Sequence, residues 1–112
     1  MLYELRSYFI EPPLIEEYLD WANTQALPIL QGDHGFRVLG FWRVAETENW
    51  GEGEQPTVVW LIAWKDRAER EERSTAARTS DRWAEAKVGT PNYHRRQAII
   101  TYLDGIPRSP LQ

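Results

Sequence analysis

The sequence predicts an α+β fold whose strands and helices follow one another in the order β-α-β-β-α-β. Four segments have the alternation or the β-branched, apolar composition of strands: residues 2–10, 36–45, 58–64 and 93–103. Two helical stretches separate strand one from strand two and strand three from strand four. With 112 residues, the chain is expected to form one domain around one core.

The first strand is predicted to present different chemistry on its two faces. Alternation places Glu4, Arg6 and Tyr8 on one face, opposite Tyr3 and its neighbours on the other. Two prolines then end the strand and suit the first turn of a helix. The apolar stripe of that helix comprises Ile15, Tyr18, Leu19, Ala22, Ala26, Ile29 and Leu30. Pro28 is expected to kink or end its regular hydrogen bonding one turn early.

The second and third strands are apolar on both faces. In strand three, one face carries Val58, Trp60, Ile62 and Trp64, and the other carries Val59, Leu61 and Ala63. In strand two, alternation groups Trp42 with Val38 and Gly40, and Arg43 with Leu39 and Phe41. Such a sheet must be covered on both sides, so a partner subunit is expected. The acidic residues around Trp50 predict an exposed loop between these strands.

The second helix is predicted to begin after Asp66, which with Glu69 resembles a capping box. Three arginines are expected on its solvated face: Arg70, Arg73 and Arg78. Polar residues 79–81 should break the helix, with Ser80 capping a short second piece before the last strand. The completed order is that of the ferredoxin-like arrangement.

Composition excludes several classes of protein. A net charge of −4 argues against nucleic acid and anionic membranes, which require a basic face. The absence of cysteine excludes disulfides, thiol nucleophiles and zinc–cysteine sites. Neither a secretory signal nor a long apolar run is present, so a cytoplasmic protein is expected.

Familiar catalytic motifs are absent from the sequence. There is no Ser-His-Asp spacing, glycine-rich phosphate loop or HExxH helix, so hydrolase, nucleotide-binding and metalloprotease functions have no support. His34 and His94 lack the spacing of metal or heme ligands, so neither a metal nor a cofactor is expected. The simplest roles are a helix end for His34 and a solvated strand end for His94.

Several short motifs together match one known family. They are Tyr3-Glu4-Leu5-Arg6 followed by Tyr8, Leu27-Pro28, Gly40 with Trp42, Arg70-Glu71 with Arg73, and Asp81 with Trp83. In this order they resemble the NIPSNAP family of the dimeric α/β-barrel superfamily over almost the whole chain. The sequence departs from the family at Pro56-Thr57, where Asn is common, and at Trp60, which stands in the position of a common His. A role that rests on that His does not transfer to this chain.

The resemblance implies a four-stranded antiparallel sheet with two helices on one face and a second subunit on the other. The expected assembly is therefore a homodimeric barrel. It also implies a small-molecule cavity between sheet and helices in each subunit, as is common in the superfamily. Other members of the superfamily include cofactor-free monooxygenases and heme-binding or heme-degrading enzymes. The NIPSNAP branch itself is mostly without a defined reaction.

Aromatic rings in such a cavity would bind a planar apolar ligand, and polar groups would orient it. We therefore predict ligand-binding roles for Glu4, Arg6, Trp42, Trp60 and Trp64, and catalytic roles for Tyr8, His34 and Arg43. The simpler alternatives are a structural ion pair for Glu4 with Arg6 and core packing for the tryptophans.

Two functions remain open at this point. The first is a small cofactor-independent enzyme, monooxygenase-like or proton-transferring, that acts on an aromatic or apolar metabolite. In it Arg6 or Arg43 holds an anionic form, and Tyr8 or His34 moves a proton. The second is a non-catalytic dimeric module that binds a ligand in the same cavity or a protein through the loop around Trp50.

Overall fold

A four-stranded antiparallel sheet with helices on one face forms the protein, as seen in a computed structural model that describes residues 1–111. The strands are β1 (Leu2–Tyr8), β2 (Arg37–Arg43), β3 (Val58–Trp64) and β4 (Ile99–Asp104), in the spatial order β2-β3-β1-β4. The helices are α1 (Ile15–Trp21), α2 (Arg67–Arg78) and α3 (Asp81–Lys87). This arrangement confirms the predicted ferredoxin-like α+β fold.

The helical segment after β1 extends well beyond α1. A short 3₁₀ turn, Pro12–Leu14, leads into α1, and wide π-helical turns at Ala22–Ala26 and Ile29–Asp33 lie on either side of Pro28. Pro28 therefore disturbs the regular hydrogen bonding as expected but does not end the helix. Wide turns accommodate a residue that has no N–H to donate.

The central strands β1 and β3 present the predicted residues to the helices. Their register pairs Glu4 with Ile62, Arg6 with Trp60 and Tyr8 with Val58. These side chains lie on the face that α1 and α2 cover, where most of the core lies. The predicted alternation of both strands is confirmed.

The predicted alternation of β2 is wrong because the strand contains a bulge. The pairing with β3 shifts between Val38 and Gly40, which leaves Leu39 as an extra residue. From Gly40 onward each side chain is on the opposite face from the one that alternation predicts. Phe41 therefore packs toward the helices, and the Trp42 ring covers Gly40 on the other face of the sheet. A Cβ at position 40 would collide with that ring.

Side-chain caps begin both later helices. The Asp66 carboxylate accepts a hydrogen bond from the Glu69 backbone N–H at 2.8 Å, and Ser80 Oγ accepts one from the Trp83 N–H at 3.1 Å. The predicted capping box is present in altered form, since the Glu69 carboxylate accepts from the Lys65 N–H rather than from the cap residue. Ser80 separates α2 from α3 as expected.

The last strand is shorter than predicted. β4 covers Ile99–Asp104, and residues 93–98 form a loop that contacts the segment just after β1 through an isolated bridge between His94 and Ile10. That loop closes one end of the space between the sheet and α1.

The face of the sheet away from the helices exposes large apolar side chains. Trp42 is 50% exposed, Ile99 42% and Leu103 41%, and all three lie in register with outward-facing residues of neighbouring strands. In the part of the chain that the structure describes, no helix is long and apolar enough to cross a membrane.

Candidate functional site

A cavity of about 460 Å³ lies between the sheet and the first helical segment. We call it the main cavity. Its floor comes from β1, β2 and β3, its roof from the π-helical turns, and its far wall from α3 and the 90–94 loop. The residues that supply these walls include Tyr8, Phe41, Trp60, Ala22, Ala26, Leu30, Trp83 and His94. The volume is within the range of small-molecule sites.

The alanines of the first helical segment help to create this space. Ala22 and Ala26 face the sheet from the first π-helical turn, and their small side chains leave room that larger residues would fill. Trp21 fixes the helix against α3 by donating a hydrogen bond from its indole to the Ala86 carbonyl at 2.8 Å. The roof and far wall of the main cavity are therefore linked.

Tyr8 is the central polar group of the main cavity. Its ring makes edge-to-face contacts with Tyr18, Trp60 and His94, at centroid distances of 6.2, 5.9 and 5.0 Å. Burial raises the pKa of the Tyr8 hydroxyl, and the neighbouring Arg6 charge only partly opposes this effect. Tyr8 therefore remains protonated at neutral pH and can donate a hydrogen bond or a proton.

His94 lies at the exposed rim of the main cavity and faces Tyr8. Burial of its imidazole lowers the pKa below that of a free histidine, and the positive charges of Arg6 and Lys87 lower it further. The ring is therefore neutral at pH 7 and can accept a proton. An acid and a base with oppositely shifted pKa values thus meet at one end of the cavity.

A buried carboxylate supports the floor beneath this site. Glu4 is fully buried and accepts hydrogen bonds from the Trp64 indole at 2.9 Å and from two nitrogens of Arg70 at 3.0 and 3.3 Å. Arg6 is a weaker partner at 3.8 Å. The hydrogen bonds to Glu4 raise the pKa of Arg70, which stays charged. The expectation of a solvated Arg70 is wrong, because α2 turns that side chain toward the sheet.

Three of the predicted site residues line a cavity on the helix-covered face. Tyr8 and Trp60 border the main cavity, and Arg6 stacks over both of their rings at 5.5 and 5.1 Å. Trp64 is on the same face but fully buried, edge-to-face with Phe36, and lines no part of this space. Glu4 likewise belongs to the packed core.

The remaining predicted site residues lie elsewhere. The β2 bulge puts Trp42 on the other face of the sheet, so the prediction that it lines the cavity is wrong. Arg43 is exposed and forms an ion pair with Glu16. His34 ends the first helical segment in a polar surface groove, where its carbonyl accepts a hydrogen bond from Arg73. Neither Arg43 nor His34 reaches the main cavity.

Sequence reasoning assigned no site role to four of the main lining residues: Tyr18, Trp83, Tyr93 and His94. Tyr18 lay on the predicted apolar stripe of the helix, but the other three lie in segments whose position depends on tertiary packing. To assign a site role to His94, one would have to know that residues 93–98 leave the predicted strand and turn back over Tyr8. Within residues 1–111, no group of three or more acidic or histidine side chains is placed to hold a metal ion.

The comparisons with known proteins agree with this architecture. The model of the NIPSNAP family matches residues 3–103. The chain belongs to the NIPSNAP family. A comparison with curated proteins gives no match.

Solved structures of other NIPSNAP proteins share the fold over nearly the full chain. A NIPSNAP family protein of unknown function from Agrobacterium tumefaciens is 21% identical, with a TM-score of 0.80, covering 100% of this chain and 94% of its own. An uncharacterized NIPSNAP domain protein from Burkholderia xenovorans is 21% identical, with a TM-score of 0.79 and coverage of 98% and 99%. A putative antibiotic biosynthesis monooxygenase from Nitrosomonas europaea is 9% identical, with a TM-score of 0.62 and coverage of 95% and 99%. At these identities the likeness concerns the fold.

Proposed function

We propose that this NIPSNAP protein binds a small aromatic or apolar metabolite in the main cavity and transfers a proton on it without a cofactor. The observation that supports this most is the contact of Tyr8 with His94 at one end of an aromatic-lined cavity of about 460 Å³. The rings would hold a planar ligand by stacking. The acid and the base would then act on the part of the ligand that lies next to both of them in the main cavity.

The proton transfer uses the two groups in fixed roles. Neutral His94 removes a proton from a carbon next to a ligand carbonyl, and Tyr8 donates a hydrogen bond to the carbonyl oxygen as it becomes an enolate. Arg6, beside Tyr8, stabilises the negative charge. Returning the proton from His94 to the carbon completes the cycle with no net change in the protein.

A monooxygenase-like version starts from the same carbanion. A ligand methylene group would lose its two hydrogens and become a carbonyl, with O₂ as the oxidant. One oxygen atom would enter the carbonyl and the other would leave with the two hydrogens as water. The structural likeness to the Nitrosomonas protein, described as a putative antibiotic biosynthesis monooxygenase, makes this version worth testing once proton transfer is established.

Deuterium exchange into 2-tetralone tests the proton transfer. This bicyclic ketone has acidic carbon-bound hydrogens, and proton NMR in D₂O follows their loss. We expect the protein to accelerate exchange, and Tyr8→Phe or His94→Asn to reduce the acceleration by about 100-fold or more. His34→Asn is the matched control, because His34 lies outside the main cavity, and it should leave the rate unchanged.

The alternative function is a ligand-binding module without catalysis. Binding of 2-tetralone, seen as a change in tryptophan fluorescence, with no acceleration of exchange would favour it. The same cavity supports both functions, so only the rate distinguishes them. An equal loss of exchange in His34→Asn and His94→Asn would contradict the assignment of the base.

We also propose that the protein is a homodimer joined through the uncovered face of the sheet. Trp42, Ile99 and Leu103 would lie at the interface, with the half-buried Leu5 and Leu61 between them. A stable dimer buries about 800 Å² per partner, which the face of a four-stranded sheet can supply. A second copy is the expected occupant because it would cover the apolar face that the helices leave exposed.

A further inference from the structure

A second, smaller space adjoins the main cavity behind Tyr8 and Trp60. We call it the side chamber. Its volume is about 130 Å³, and it shares Tyr8, Leu30, Trp60 and Trp83 with the main cavity. Because one water molecule occupies about 30 Å³ of liquid, the chamber has room for a few waters or one small polyatomic group.

The side chamber is lined by three residues that each have a buried nitrogen or hydroxyl atom without a well-formed hydrogen bond among the described residues. Arg6 Nε, Trp60 Nε1 and Ser74 Oγ are buried and make no hydrogen bond of good geometry within residues 1–111, although the Arg6 and Trp60 side chains also interact with the Tyr8 hydroxyl and oppose the rise in its pKa. All three residues line this chamber. Trp60 is 4% exposed and Ser74 8% exposed, so bulk solvent does not satisfy these atoms. Buried polar atoms without a hydrogen bond are costly, and since all three residues border one space, a single bound group there could pair with them.

The chemistry of these atoms defines that partner. Arg6 Nε and Trp60 Nε1 can only donate, and Ser74 Oγ can donate or accept. Arg70 and Arg78 also line the chamber, whereas no acidic residue among the described residues does. The nearby Glu4 carboxylate accepts hydrogen bonds from Arg70 and Trp64 and lies 3.8 Å from the Arg6 guanidinium, so one carboxylate faces two arginines. Donors and positive charge are therefore in excess, and the missing partner is an anionic oxygen.

We propose that the side chamber is an anion subsite, and that the natural ligand is an aromatic or apolar carboxylate. The apolar body lies in the main cavity, and the carboxylate reaches past Tyr8 and Trp60 to Arg6, Trp60 Nε1 and Ser74. This inference rests on the proposed function, because the main cavity must hold the body of the ligand. It adds the class of ligand and the side of the cavity at which its charge lies.

A matched pair of probes tests the subsite. Naphthalene-2-carboxylate and naphthalene-2-carboxamide have nearly the same shape, and isothermal titration calorimetry measures their affinities. We expect the carboxylate to bind at least tenfold more tightly. Ser74→Ala and Trp60→Phe should each reduce this preference several-fold, because each removes one donor. Trp50→Phe removes an indole N–H from the exposed loop and should leave the preference unchanged.

Crystals soaked in bromide separate failure of the subsite from failure of the proposed function. Bromide beside Arg6 Nε and Ser74 Oγ supports the subsite, even if neither naphthalene compound binds. Failure of both naphthalene compounds to bind overturns the proposed binding of an aromatic ligand. Equal affinity for the two compounds overturns the assignment of a carboxylate to this subsite, whether or not bromide binds there, and leaves the proposed function intact. Absence of both bromide and naphthalene binding overturns both. A preference that survives in Ser74→Ala and Trp60→Phe also overturns the assignment of these donors.

Discussion

His94 and Tyr8 show how the environment of single residues decides the chemistry of the site. Both side chains are ordinary titratable groups, but burial shifts their pKa values in opposite directions, since it disfavours the charged form of each. The fold thereby keeps a proton on Tyr8 and off His94 at neutral pH. The lowered pKa of His94 also has a consequence for stability, since the unfolded chain binds that proton more readily.

The first prediction concerns the charge of His94. Lys87→Gln removes one of the positive charges that lower its pKa, so the pKa of His94 should rise but stay below that of a free histidine, because burial remains. An NMR titration of the His94 imidazole measures this pKa. The stability that neutral His94 contributes is present above about pH 6.5 and is lost as the pH falls through its lowered pKa. Lys65→Gln makes the same change of charge outside the main cavity and should leave the pKa of His94 unchanged. A similar rise of this pKa in Lys65→Gln would contradict the assigned role of Lys87.

The second prediction concerns the buried carboxylate. Glu4→Gln should lower the free energy of unfolding by about 3 kcal/mol, because it leaves Arg70 without its buried counter-charge and weakens the bond to Trp64. Glu71→Gln is the control. It removes an exposed partner of Arg70, so its effect on the free energy of unfolding should be clearly smaller than that of Glu4→Gln. Urea unfolding measures both, and equal effects would show that burial of the pair is unimportant.

At the scale of elements, the predictable and the unpredictable features have clear physical origins. The bounds of β3 and the caps Asp66 and Ser80 follow from local chemistry and could be predicted from the sequence. The β2 bulge at Leu39 could not, because its register depends on pairing with β3, and it moved Trp42 to the other face of the sheet. The inward turn of Arg70 likewise depends on Glu4, which lies 66 positions earlier in the chain.

The third prediction concerns the start of α2. Asp66→Ala removes the carboxylate that caps the Glu69 N–H and should lower the free energy of unfolding by about 1 kcal/mol. Asp66→Asn keeps an oxygen that can accept the same hydrogen bond, so most of the stability should remain. Thermal unfolding followed by circular dichroism compares the two variants. Equal losses would mean that the negative charge at the helix start, rather than the cap, is responsible.

At the scale of the molecule, the two faces of the sheet have different surroundings. The face that carries Glu4, Arg6 and Tyr8 is covered by helices and contains both cavities, and this division was predictable because the side chains of β1 alternate strictly. A cavity between the sheet and the helices was expected from the family resemblance, but most of its lining was not predictable, since it depends on π-helical turns and on a loop that folds back to Tyr8. The other face exposes the apolar side chains of Trp42, Ile99 and Leu103, on which the proposal of a homodimer rests.

The last prediction tests that role. Trp42→Asp places a charge on the uncovered sheet face and should convert a dimer into a monomer, because the charge would be desolvated at the interface without a partner. Val88→Asp is the control, since Val88 is 79% exposed and lies after α3 on the helical side. Size-exclusion chromatography with light scattering should give twice the chain mass of 13.1 kDa for the unmodified protein and for Val88→Asp, and the chain mass for Trp42→Asp. Circular dichroism establishes that the variant remains folded. A monomeric unmodified protein, or a Trp42→Asp dimer, would show that the subunits do not meet through this face.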